Sequence, residues 1–81
     1  MEGTTAEQAA QQRSIDELTA ATSANLKKLE SRQLSTTQQD MVSQVKQFMD
    51  QSKAAVAAGD LERGQNLATK AHLLSDELVK P

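Results

Sequence analysis

Apolar side chains recur along this chain every three or four residues, the period of an α-helix, in three blocks of unequal strength. In the first, Ile15, Leu18, Thr22, Leu26 and Leu29 trace one thin face with Asn25 close to its middle. A helix with so little to bury is marginal alone and needs a neighbour. The second block is the richest, with Met41, Val42, Val45, Phe48, Met49, Ala55 and Val56. The third runs Leu61, Gly64, Leu67, Ala68, Ala71, Leu74 and Leu78. The pattern predicts an all-α chain with a long N-terminal helix at about 6–33 and an antiparallel hairpin of helices at about 36–58 and 61–79, forming a three-helix or dimeric bundle or coiled coil.

The punctuation between the blocks supports this division. Gly59-Asp60 sets a helix stop directly against a helix start: glycine takes the left-handed conformation that ends a helix, and aspartate accepts from the free N–H groups of the next first turn. Ser35 with Gln38, or Thr36 with Gln39, forms the S/T-x-x-Q capping box, with Leu34 placed to staple onto the following turn. No Gly or Pro enforces a break there, so the competing reading is one rod from Ala6 to Ala58, about 80 Å long at the helical rise, which would have to dimerise. Residues 1–5 are polar with an early glycine and are expected to be disordered, leaving 6–81 as a single helical domain. Gly64 lies inside the third helix at a propensity cost of about 1 kcal/mol relative to alanine, which predicts close packing on Ala54 or Ala55 across the turn. Lys80 suits the C-terminal end of the helix dipole, and Pro81 is a natural stop.

Composition narrows the function more by exclusion than by indication. The chain has 81 residues and no cysteine, so neither disulfides nor thiolate metal ligands staple it, and the redox compartment stays undecided. Nine basic and eleven acidic residues are interspersed at a net charge of -2, with one aromatic residue. A basic stripe to neutralise phosphates and aromatics to stack bases are both missing, which argues against nucleic acid. No apolar run approaches the roughly 18 residues that span a bilayer. Residues 1–15 have neither the basic start nor the apolar core of a signal peptide, and a soluble part excised from a longer envelope precursor is an equally open reading; localisation is left unassigned.

Candidate chemistry is thin. His72, the one histidine, has Asp76 a turn away, but a structural zinc takes four protein ligands and a catalytic one three. The pairs Asp16-Glu17 and Asp76-Glu77 are adjacent and do not share a helix face. A ferritin-like Glu-x-x-His is absent, since Thr69 stands at that spacing before His72, and Gly59 and Gly64 lack the Gly-Lys-Ser/Thr of a phosphate loop. These readings predict no catalytic, cofactor-binding or metal site and no small-molecule substrate. The scattered charges read as a solvated face. Met41, Phe48 and Met49 read either as core or as a face for a partner helix.

The run AAGDLERGQNLATKAHLL resembles the second half of a tetratricopeptide-type helical hairpin. Gly59-Asp60 stands at the turn, Gly64 and Ala71 take small positions, and Phe48 fits the leading aromatic position of the first helix. Ala68 stands where a large aromatic is usual, Gln51, Ser52 and Ala55 replace Leu, Gly and Tyr, and Asp76 replaces a proline. The likeness covers about residues 45–78, in a single copy. It is also similar to the Ala-rich helical segments of bacterial envelope proteins and lipoproteins, which implies a structural or scaffolding role without active-site residues.

In the resulting picture the C-terminal half of the first helix lies along the hairpin, and Ile15 and Leu18 are left to find partners, which favours a homodimer with the first helix crossing between chains. The expected function is protein–protein association, by self-association or as a helical segment of a larger envelope protein. The alternative is an adaptor receiving a helix or peptide in a groove of Met41, Phe48 and Leu74. The candidate interaction face is Ile15, Leu18, Leu26, Leu29, Met41, Val45, Phe48 and Leu74, with Gly59, Asp60 and Gly64 as structural turn residues.

Overall fold

The computed structural model of the chain describes residues 5–80 and contains three helices, α1 (Ala6–Glu30), α2 (Thr36–Ala57) and α3 (Leu61–Val79). Each begins at a side chain that accepts from a free N–H of the first turn. Thr5 and Ser35 form complete capping boxes: the Gln8 and Gln38 amides donate to their hydroxyls at 3.0 and 3.1 Å, and the two glutamine side chains accept in return from the cap N–H groups at 3.1 and 2.9 Å. Of the two boxes available near position 35, the chain uses Ser35 with Gln38. Asp60 accepts from the Arg63 N–H at 3.1 Å. Thr5 is therefore an ordered cap, where the sequence pattern placed it in a disordered terminus; residues 1–4 of that expectation, and the stop at Pro81, lie outside the described residues.

The continuous rod is not formed. α1 ends at Glu30, three residues short of the expected Gln33, and the connection at 31–35 is tied down by polar contacts. The Ser31 hydroxyl donates to the Lys28 carbonyl at 3.0 Å, and the Arg32 guanidinium donates to the Val79 carbonyl at 3.2 Å. Arg32 thus brings a cation and a donor to the C-terminal end of α3, where carbonyls lack helical partners. Lys80, the C-cap of α3, donates to the Glu77 carboxylate at 2.7 Å, and that carboxylate holds its ammonium above the usual lysine range.

At the other end, Gly59 adopts φ +84°. The Asp60 N–H donates to the Ala55 carbonyl at 2.8 Å and the Gly59 N–H to the Val56 carbonyl at 2.9 Å, the paired bonds of a Schellman stop. The turn reverses the chain so that α2 and α3 run antiparallel.

α3 is the central element: both other helices pack closely on it, while α1 and α2 hardly approach one another. α1 runs parallel to α3 along most of its length, shown by bonds from Gln65 to Ser14 (3.1 Å), from Asn25 to Ser75 (2.9 Å) and from Arg32 to Val79. The expectation that only the C-terminal half of the first helix lies along the hairpin is corrected accordingly.

Small residues on α3 permit the close approach. Ala68, Ala71 and Ser75 are at most 2% exposed, and Gly64 is buried with them. A Cβ at Gly64 would stand 2.8 Å from Val56 Cγ2, 3.4 Å from the Ser52 carbonyl oxygen and 3.5 Å from Ile15 Cδ1. The neighbours of Gly64 are thus Val56, Ser52 and Ile15 rather than Ala54 or Ala55, and the Ser52 hydroxyl donates to the Gly64 carbonyl at 2.7 Å. Ile15 finds its partner inside the chain, so burying it requires no crossing of helices between copies. Larger side chains fill the opposite end, where Leu29, Val45, Ala71 and Leu78 form the core and Leu26, Leu34, Met41, Val42, Phe48, Met49, Leu74 and Val79 pack around them.

Candidate functional site

The seam between α1 and α2 stays open. Two clefts follow each other along it: one of about 480 Å³ between residues 12–23 of α1 and 49–56 of α2, and one of about 250 Å³ between residues 26–30 of α1, the connection, and residues 39–46 of α2. The pairing of early α1 with late α2 shows these helices antiparallel. On the α2 bank, Val42, Met49 and Val56 recur every seven residues, alternating with Lys46 and Lys53 at the same interval. On the α1 bank, Asp16, Thr19, Ser23, Leu26 and Glu30 follow a three-four-three-four spacing, one continuous helical stripe. The floor is apolar and the rim is charged. Asp16, Glu30, Lys46 and Lys53 are all exposed, and none forms an ion pair among the described residues.

A second constellation lies between α1 and α3. The buried Asn25 amide donates to the Ser75 hydroxyl at 2.9 Å and to the Asp76 carboxylate at 2.8 Å. Ser75 donates in turn to the His72 carbonyl at 2.9 Å, which leaves its oxygen lone pairs to Asn25 and fixes which way the amide faces. His72 Nε2 stands 3.5 Å from the second Asp76 oxygen. Thr22, fully buried beside this group, returns its hydroxyl to the Leu18 carbonyl at 2.8 Å. The network is closed on itself: among the described residues, every buried side-chain polar atom has a partner. Its effect is positional, since a one-turn slip of α1 against α3 would leave Asn25 buried without acceptors. No set of three His, Cys, Asp or Glu side chains suited to a metal ion occurs among the described residues.

The residues singled out from sequence fall into separate places. Gly59 and Asp60 make the turn, and Gly64 makes the crossing. Ile15, Leu29 and Val45 are 4%, 3% and 0% exposed and belong to the interior, with Ile15 at the floor of the upper cleft and Leu29 at the floor of the lower one. Leu18, Leu26, Met41, Phe48 and Leu74 are half-buried. Leu26 borders the α1–α2 seam, whereas Met41, Phe48 and Leu74 pack against the core and line neither cleft. The expected face is thus split between interior and surface. Sequence reasoning passed over Met49 and Val56 as elements of the open seam, and Lys46 and Lys53 as its rim; the seven-residue recurrence of Val42, Met49 and Val56 was the available signal. Leu73, 59% exposed, is a solitary apolar side chain on the outer side of α3.

No described helix is long and apolar enough to cross a membrane. Compared with protein-family models, with curated proteins and with solved structures, the chain matches none.

Proposed function

We propose that this chain is a non-catalytic helical association module whose α1–α2 face receives a further helix. One observation carries the reading: two seams of the bundle are closed by small residues, and the third is an apolar trough with charged banks along the two longest helices. An amphipathic helix laid into such a trough buries its apolar stripe and keeps its polar edges at the rim. The likeness of the α2–α3 hairpin to a tetratricopeptide unit and to envelope scaffolds points to the same class of role. The adaptor reading merges with this one, moved from Met41, Phe48 and Leu74 to the α1–α2 face.

A photo-activated cross-linking residue placed at Ala20 within the trough, and at Lys70 on α3 as a control, tests the proposal in the cells from which the chain derives. Protein adducts from position 20 and none from position 70 are expected. Adducts from neither position, or equally from both, would remove the basis for the reading.

A further inference from the structure

Taking the α1–α2 face as the docking surface, as above, we infer that its occupant is a second copy of the chain, related by a two-fold axis that runs parallel to the helices, so that α1 of each copy lies antiparallel on α2 of the other. A two-fold interface must be complementary to itself. This face has that property in one orientation only. Its α1 bank carries Asp16 and Glu30, its α2 bank carries Lys46 and Lys53 with Asp50 between them, and Arg32 of the connection borders the lower cleft while its guanidinium is drawn toward the Val79 carbonyl. Rotation about an axis along the trough places each bank over the opposite bank of the second copy and keeps every residue at its own height. Lys53 shares the upper cleft with Asp16, and the rotation brings acid over base there. Lys46 and Glu30 share the lower cleft but stand about 10 Å apart in height, since the acids are 14 residues apart along α1 and the lysines seven along α2, so their attraction is the longer-range one. Asp50, between the two lysines, falls opposite the uncharged stretch from Thr19 to Ser23. Rotation about an axis across the helices would instead set α1 on α1 and α2 on α2, with acid facing acid and lysine facing lysine.

The trough also supplies apolar contact. Val42, Met49 and Val56 present a seven-residue repeat, the seam spacing of paired helices, with Leu26 and Ala20 on the facing bank. Antiparallel neighbours all round would give the four central helices the arrangement of an up-and-down bundle. The face is about 33 Å long, from the helical rise over α2, and 18 Å wide if it takes the second extent of the molecule. That is about 600 Å² per copy, somewhat below the roughly 800 Å² of a standard interface. The dimer is accordingly expected to be reversible and salt-sensitive, with a dissociation constant on the order of micromolar.

Sedimentation equilibrium on the full chain, with Lys46→Glu/Lys53→Glu and Asp16→Lys/Glu30→Lys as separate double variants, tests the pairing. Wild type is expected to be a monomer–dimer mixture, and each variant alone to dissociate at least about tenfold more readily, since like charges now face each other. An equimolar mixture of the two variants is expected to regain dimer, because every bank again meets its opposite; this recovery also shows that both variants are folded. A wild type that stays monomeric at millimolar concentration overturns the inference, as does a mixture that fails to recover. Monomeric wild type together with adducts to other proteins from position 20 would overturn the self-pairing and leave the association reading standing.

Discussion

The two seams made by α3 and the seam between α1 and α2 are built from the same three helices, yet they differ in kind. Along α3, Gly64, Ala68, Ala71 and Ser75 let the neighbouring helices come close, and the polar groups trapped there are bonded to one another. Between α1 and α2, which both pack on α3 and hardly meet, Val42, Met49 and Leu26 line an open trough rather than a packed interior. Close approach comes from small side chains, and specificity of register comes from polar groups that have one arrangement in which all are satisfied. The open seam has neither constraint, which leaves it free to be covered by something else.

The largest effect should follow from adding volume to a closed seam. Gly64→Leu forces its side chain through the space held by Val56 and Ile15 and is expected to destabilise the chain by about 3 kcal/mol, at the upper end for overpacking. Thermal and urea denaturation would show it, and a variant as stable as wild type would mean that α2 and α3 are not in this contact. Next comes Asn25→Ala, which removes the donor shared by Ser75 and Asp76 and should cost about 1–2 kcal/mol because Asp76 can turn to water while Ser75 cannot. Gly59→Val places a β-branched residue at φ +84° and should cost about 1–2 kcal/mol by the same denaturation measurement. Nothing crowds the missing Cβ at Gly59, so Gly59→Asn, which tolerates that conformation, should lose less. The smallest effect belongs to the open seam. Ala20→Leu should change the stability of the dilute chain by no more than about 0.5 kcal/mol; a loss comparable to that of Gly64→Leu would mean that the trough is closed after all.

Much of this fold was legible in the residues themselves. Ser35 with Gln38, and Gly59 with Asp60, mark helix ends through chemistry confined to a few adjacent residues, and the structure places the ends there. The choice of neighbours was less legible, because helical periodicity reveals which side of a helix is buried and not what buries it. Thr22 and Asn25 look like interruptions of a thin stripe, and they turn out to be among the best-buried side chains of α1 because α3 supplies their surroundings. Gly64 announced a close contact without naming Val56 and Ile15 as its partners. Ile15 therefore read as a residue seeking another copy, although its own chain covers it. The trough was partly visible in the spacing of Val42, Met49 and Val56. Its existence, however, depends on how far apart two helices stand, and that distance is set by residues on a third.

The contrast between the seams can be tested most directly with single cysteines, since the chain has none of its own. The rate at which a thiol reagent labels Ala20→Cys should be compared with the rate for Ala71→Cys, in dilute protein under native conditions. Position 71, 1% exposed between helices, should label at least about 100-fold more slowly than position 20 because it reacts only when the bundle opens. Equal rates, or a protected position 20 in the dilute chain, would contradict the account of one open seam beside two closed ones.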